Sequence, residues 1–555
     1  MALMATPEYN LCFQSSCAAG MTIMAASARS EMTPPGRLPL SVDTTSGARA
    51  RRNTISDAIR RSALRMGDAP ALGFSDRSWS FRRLDQAIDR VAARLLALGL
   101  KRGERVGAYG RNSDAYLILF LACTRAGVVH VPINYALTET ELAYIVGQSG
   151  ARALVYDSFL AGNAEKMRGR PGLDFIGTFA DGGDIDVLAL ATSDAVIDPV
   201  DVEQDENDLA QITYTSGTTA MPKGAMMTHR AQMYEYVSCI NDLELSRGDR
   251  WLAALPLYHT AQMHCFTVPA LMLGAFTVLI ESPVPEQVLE LIERHRITSF
   301  FAPPTVWISL LRHPDFATRD LGQLRNVYYG ASIMPVPVLQ ELRERLNGAR
   351  AFNCYGQSEI GPLATVLRPE EHDARPASAG RPVLNVQTRV VDENMNDVPP
   401  GVQGEIVHRS PQLLLGYWDK PDETAEAFEG GWFHSGDIGV LDEEGYLYVV
   451  DRVKDIIKSG GSMVASREVE EVLFTHPSVS EVAVIGLPDP KWIEAVTAVV
   501  VLRDGHAGDE QALIAHAREK LAPFKVPKRV VFVDNLPRNT AGKLLKRELR
   551  VTMAD

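Results

Sequence analysis

Between Tyr214 and Gly224 the chain reads YTSGTTAMPKG, which sets hydroxyls at Thr215, Ser216, Thr218 and Thr219 around Gly217 and follows them with Lys223. A loop of this composition can curl its backbone N–H groups around phosphate oxygens while the hydroxyls add donors. Lys223 supplies a compact positive charge able to follow the outer phosphates. The loop is not a Walker A sequence, because no Gly-x4-Gly-Lys-Ser/Thr occurs. A second segment, Asn353–Glu359 (NCYGQSE), carries a ring, a glycine turn, a hydroxyl and a carboxylate. Tyr355 can lie against a purine face and Ser358 can donate to a phosphate oxygen. Glu359 can hold Mg2+, which favours carboxylate and phosphate oxygens.

Four more segments bear chemistry: Trp432–Asp437 (WFHSGD), Asp451–Gly461 (DRVKDIIKSGG), Pro537–Lys546 (PRNTAGKLLK) and Leu255–His259 (LPLYH). A carboxylate at a strand end, such as Asp437, can accept both hydroxyls of a ribose. A lysine on a Thr-Ala-Gly turn, Lys543, can bring one ammonium to a developing negative charge. Singly, each segment has a blander identity: a surface loop, an acidic helix start, a turn aspartate, a solvated basic stretch, an inert tail lysine, a core histidine. Their order along the chain is what raises them.

In that order they resemble the ANL adenylating enzymes, the family of acyl-CoA synthetases, peptide-synthetase adenylation domains and luciferases, from about residue 55 to about residue 550. The resemblance implies a carboxylic acid attacking the α-phosphate of ATP, with Lys543 bridging the two anions and Glu359 and Thr215 at the metal. It places Gly330, Ala331 and Ser332 beside the adenine, with Asn353, Tyr355, Gly356, Gln357 and Ser358 in the nucleotide segment. It gives the ribose to Asp437 and Arg452, the hinge to Lys454, and the approach to adenylate and pantetheine to Lys458, Ser459, Gly460 and Gly461. His259 becomes the gate where acid and thiol meet, with His264 a weaker candidate. Coenzyme A is the expected acceptor, the stretch after Lys543 being read as too short for an appended carrier domain. Acceptors known among such relatives stay open: an amine, a carrier protein, or an aryl amine diazotised through nitrite. A nucleotide-binding protein without catalysis is the third alternative, opposed by Lys543, Glu359 and Asp437.

The sequence departs from the family pattern in two places. Ala220 stands where a glycine is usual, which narrows the backbone's freedom. Ser462-Met463-Val464-Ala465-Ser466 replaces Glu-Asn-(Val/Ile)-x-Pro, on the side of the lid used for the thiol step.

With 555 residues the chain exceeds a single core. A net charge of −13 gives no basic field for nucleic acid. Six cysteines, with no CxxC pair, point to a reducing, cytoplasmic setting rather than a disulfide framework or a zinc site. The longest apolar stretch, Val268–Ile280, is shorter than the roughly 20 residues a membrane span needs, so no integral membrane association is expected. A homodimer remains open.

The patterns must build the frame that positions these segments. From about Thr54 to Asp201, and again from Leu209, helical and strand periodicities alternate, which predicts parallel sheets covered by helices. Leu209–Thr215 reads as a strand and Thr228 as the cap of a helix to about Ile240. A strand is expected at Arg350–Phe352 and a helix near Met263–Leu273. From Gly380 to Val450 short strands broken by turns predict a small antiparallel region. The expected fold is α/β: two α/β lobes and a β lobe over residues 51–450, a hinge at 451–455, and a smaller, mobile α+β lid at 456–555. Residues 1–50 read as a disordered tail. The segments around Tyr258–Met263, Trp307, Tyr328–Met334 and Gly361–Thr365 are apolar and suit an apolar or aromatic acid.

Overall fold

The computed structural model describes residues 44–215, 221–332, 334–452, 455–459, 462–538 and 544–553. The chain divides into two units at Arg51 and Arg52. Of the first, the helix Thr44–Arg51 is described, in a stretch that sequence assigned to a tail. The second carries everything that follows.

Among its described residues the strands form four sheets. A nine-stranded sheet has a parallel centre: Arg350–Gly356, Asn326–Gly330, Ser299–Ala302, Arg250–Ala253, Phe276–Leu279 and Pro70–Phe74. A six-stranded sheet runs Phe175–Thr178, Ala151–Tyr156, Arg105–Tyr109, Val129–Ile133, Leu209–Thr215, Lys223–Thr228. Its strands Val129–Ile133 and Arg105–Tyr109 are nearly all buried, as parallel strands covered on both faces must be. Every residue of the helix Asp114–Ala126 is buried, Arg125 included. Mostly apolar and covered on all sides, this helix has no solvent face, and its Asp114 and Arg125 are met by ion pairs with Arg77 and with Asp85 and Asp89. These are the two α/β lobes. The antiparallel sheet Gln387–Val391, Gly404–Arg409, Phe433–Leu441, Leu447–Arg452 is the β lobe. The smaller C-terminal part is built on Ile493–Leu502, paired with Val479–Asp489, Ile457–Ser459 and Arg529–Phe532. No helix among the described residues is long and apolar enough to cross a membrane.

Three local expectations change. Leu209–Thr215 does not lead by a loop straight to a helix; it turns back as a hairpin, with Thr215 opposite Lys223 in the return strand Lys223–Thr228. The helix His229–Asp242 then starts at Thr228, whose hydroxyl accepts the Ala231 N–H at 3.1 Å. The strand expected to end at Phe352 continues to Gly356, so Asn353, Tyr355 and Gly356 lie on it. Pairing with Leu363–Leu367 on the other side extends it. Near Met263 a π-type turn, Ala261–Thr267, precedes the helix Val268–Leu273. Pro269 has no N–H to give, and the Val268 N–H reaches five residues back to Met263.

Burial sets the acid sensitivity of this fold. His130 and His264 are pushed down to about 3, and His229 and His408 to about 4, by desolvation of their charged forms. Unfolded, each takes a proton near its ordinary value of 6.5. Stability is therefore retained above that value and lost as pH falls from about 6.5 towards 4. His408→Gln should flatten that slope by up to one proton, about 1.4 kcal/mol per pH unit. Urea unfolding followed across the same window checks it.

Candidate active site

The end of the Leu209–Thr215 strand and the turn after Gly356 meet across the two α/β lobes. The Thr215 hydroxyl donates to Glu359 Oε1 at 2.9 Å, and the Tyr417 hydroxyl approaches the same oxygen at 3.4 Å. Glu359 is 9 % exposed, so its carboxylate depends on such donors. Burial, then the Glu359 charge, drives the Tyr417 phenol well above its ordinary range, which keeps it a donor. Lys223 Nζ sits 5.2 Å from the centre of the Tyr417 ring. Hydroxyl, carboxylate and ammonium thus share one corner. Its oxygen donors are hard, and the set fits a small divalent cation such as Mg2+ that shares its shell with phosphate.

A second pair of groups holds the other end. Tyr355 donates its hydroxyl to Asp437 Oδ2 at 2.8 Å. Arg452 Nε lies 3.3 Å from Asp437 Oδ1, the two residues being cross-strand partners in the β lobe. Desolvation, then the Asp437 charge, raises the Tyr355 phenol far above its usual value, so it remains protonated. Gly330 ends its strand opposite Cys354, where a Cβ would fall 2.3 Å from the Cys354 carbonyl oxygen. Next to it Ala331 holds φ at +63°, a left-handed conformation costly for alanine and frequent at ligand clamps. Ser332 is exposed beside it. Asn353 spends its amide on the Ser378 carbonyl at 2.8 Å. The Gln357 amide nitrogen is buried without a partner among the described residues, a donor awaiting an acceptor.

The Ser358 hydroxyl lies 2.9 Å from Thr260 Oγ1, which ties the His259 loop to the nucleotide segment. His259 is half-buried, its ring centre 5.8 Å from that of Tyr258. His264 is a core residue: buried between the Tyr236 hydroxyl at 2.8 Å and Gln211 Oε1 at 3.0 Å. Trp307 and Tyr328, expected near the acid pocket, are fully buried and joined from indole N–H to backbone carbonyl at 3.1 Å. Sequence reasoning missed Tyr417, whose only signal was a Gly-Tyr-Trp run in a turn-rich region, and it gave Thr260 no role beyond its place in the Tyr258–Met263 segment.

Ser216, Gly217, Thr218, Thr219, Ala220, Lys454, Gly460, Gly461 and Lys543 lie outside the described residues. Lys458 and Ser459 pair with Met463 and Ser462 in a hairpin, and among the described residues not with the Glu359 or Asp437 groups. Ser466, in place of the proline, gives both its N–H (2.7 Å) and its hydroxyl (2.6 Å) to Asp451 Oδ2. A proline could offer neither. Lys546 Nζ then donates to the Ser466 hydroxyl oxygen at 2.5 Å and pairs with Glu470 at 2.8 Å.

Residues 59–418 match the family described as AMP-binding enzyme, and residues 468–543 match the AMP-binding enzyme C-terminal domain. The chain is 36% identical over 482 residues to a feruloyl-CoA synthase of an Amycolatopsis species, covering 87% of this chain and 95% of that protein. It is 34% identical over 537 residues to the long-chain-fatty-acid–CoA ligase of Escherichia coli O6:H1, covering 90% and 94%. The solved amide bond synthetase McbA from Marinactinospora thermotolerans superposes with a TM-score of 0.82 at 31% identity, over 90% of this chain and 100% of that one.

Tyr355→Phe would leave the Asp437 carboxylate, 5 % exposed, with Arg452 as its one side-chain partner among the described residues. Resistance to urea should fall by about 1–3 kcal/mol, the usual cost of a buried acceptor losing a donor.

Proposed function

The chain belongs to the AMP-binding enzyme family, and on that footing we propose that it joins an apolar or aromatic carboxylic acid to coenzyme A. It is an AMP-forming acid–thiol ligase, its relatives being CoA ligases for feruloyl and long-chain fatty acids. ATP and coenzyme A are its co-substrates. The observation that carries the assignment to this cleft is the Thr215–Glu359 hydrogen bond between two lobes, with Tyr355, Asp437 and Arg452 at the other end.

In the first half-reaction an acid oxygen forms a bond to the α-phosphorus and the bond to the pyrophosphate oxygen breaks. Both partners are anions, so positioning and charge compensation dominate. Glu359 and Thr215 would hold Mg2+, which would offset triphosphate charge. Lys223 follows the outer phosphates, Asp437 and Arg452 take the ribose, and Tyr355 lies at the base. Lys543 brings the ammonium that bridges the attacking oxygen and the α-phosphate. In the second half-reaction the thiol sulfur bonds to the acyl carbon and AMP leaves. The lid at 456–555, turning about a hinge at 451–455 that contains Lys454, withdraws Lys543. Lys458, Ser459, Gly460 and Gly461 then approach the adenylate and pantetheine.

The thiol reaches His259 along an aromatic rail. Ring centres run from Phe159 to Tyr135 at 6.4 Å, Tyr135 to Tyr258 at 5.9 Å, and Tyr258 to His259 at 5.8 Å. At the outer end the Arg111 guanidinium lies 3.8 Å over the half-exposed Phe159 ring. A stacked ring with a cation suits a phosphorylated purine, which is what coenzyme A presents. Met463, exposed where the family pattern has an asparagine, favours testing an amine acceptor as well. Cysteines 123, 239, 265 and 354 are free, and a reducing cytoplasm suits them.

Pyrophosphate release from ATP with a panel of fatty and aromatic acids should single out an apolar tail. Adding coenzyme A should yield a thioester by mass spectrometry; a product with an added amine, nitrite and aryl amine, or carrier protein instead would replace the acceptor. Lys543→Ala should cut pyrophosphate release by about a hundredfold or more, the scale of losing one charge-stabilising group. Arg111→Ala should raise the KM for coenzyme A while leaving pyrophosphate release unchanged.

A further inference from the structure

Behind the Glu359 turn lies a carboxyl group that neither half-reaction uses, its pKa pushed up to about 8 by burial. Glu235, on the helix His229–Asp242, is fully buried, and no lysine, arginine or histidine forms an ion pair with it among the described residues. Neutral donors surround it instead. The Leu363 N–H donates to one oxygen at 3.0 Å and the Gln412 side-chain amide to the other at 2.5 Å. The Cys239 thiol donates at 3.2 Å, and that of Cys265 approaches at 3.7 Å.

Gln412 does more than meet Glu235. Its two amide hydrogens are shared among three acceptors, Glu235 Oε2 and the carbonyls of Ile360 at 3.0 Å and Leu363 at 2.7 Å, and its oxygen accepts from the Ser238 hydroxyl at 3.0 Å. Two residues on, the Leu414 N–H donates to the carbonyl of Glu359 itself at 2.8 Å. Gly361 lies flat on the buried carboxyl: at φ +112°, a Cβ there would stand 2.9 Å from Glu235 Oε2. Three backbone polar groups of the link between Glu359 and the strand Leu363–Leu367 are thereby held by two side chains. Those side chains come from a helix of one lobe and a segment leading out of the β lobe. Without them the link would keep buried carbonyls unpaired, and it would shift to find other partners.

We infer that Glu235 and Gln412 are positioning residues for Glu359: they brace the Ile360–Leu363 link from behind and so set where Glu359 presents its carboxylate to Thr215 and a divalent cation. This rests on the function proposed above, because it gives Glu359 its cation. The brace belongs to the adenylation step. Thioester formation from a finished acyl-adenylate has no triphosphate for the cation to hold.

Glu235→Gln keeps the side chain's size but turns an amide N–H2 towards one of two donors, the Leu363 N–H or the Gln412 amide; Gln412→Met removes the donor from the other side. Each variant is compared with the wild type in three measurements. These are pyrophosphate release as Mg2+ is varied, Mn2+ binding in the presence of ATP by loss of the free-ion paramagnetic resonance signal, and thioester formation from supplied acyl-adenylate and coenzyme A. Both variants should need more Mg2+ and lose about 10–100-fold in cation affinity or pyrophosphate release, the usual effect of removing a group that orients a metal ligand. Thioester formation from the supplied adenylate should stay as in the wild type. Equal losses in both half-reactions, or wild-type Mn2+ binding in both variants, would overturn the inference and leave the proposed function standing. A wild-type chain that released no pyrophosphate with any acid would overturn both.

Discussion

A carboxyl group taken out of water must be met by hydrogen-bond partners or cations, and the architecture of this molecule turns on meeting three of them. Glu359, Asp437 and Glu235 are each less than a tenth exposed. Glu359 takes a hydroxyl from the other lobe, Asp437 a phenol and a guanidinium, and Glu235 a set of neutral donors. None of the three is satisfied by its own strand or helix alone. The lobes are therefore joined by polar groups as well as by apolar contact, and those joints coincide with the cleft.

The same demand explains the placement of the residues proposed to hold the nucleotide. A strand end exposes unpaired backbone groups, and here Thr215, Gly330 and Gly356 all stand at or near strand ends. The close approach of Gly330 to the neighbouring carbonyl leaves no room for a side chain. Backbone donors can then face a ligand directly, which is how open α/β sheets collect their ligands beyond the carboxyl ends of the strands.

Much of this was legible in the residues. Leu209–Thr215 and the Thr228 cap fall where periodicity and capping chemistry put them, because those signals are local. The joining of Thr215 to Glu359 and of Tyr355 to Asp437 agrees with groupings that only the order of motifs suggested. What escaped was non-local. The return strand Lys223–Thr228 has weak alternation and owes its form to pairing with Leu209–Thr215 and to the segment at Gly416–Trp418. Tyr417 and Thr260 gain meaning only from partners far off in sequence. Gln412 and Glu235 are invisible in the same way: a glutamine after a proline and a glutamate on a helix carry no mark of sharing a buried link.

Ser466 shows how a single exchange can redistribute mechanical load. It fastens Asp451, just ahead of the family's pivot, to the first turn of the helix Ser466–Phe474, and it also receives Lys546 from the last helix. A swing of the proposed lid that separates Asp451 from that helix must break both short contacts to Ser466, while Ser466, Glu470 and Lys546 travel together. The hinge proposed at 451–455 would thus work as a latched joint, which turns only once Ser466 lets go of Asp451.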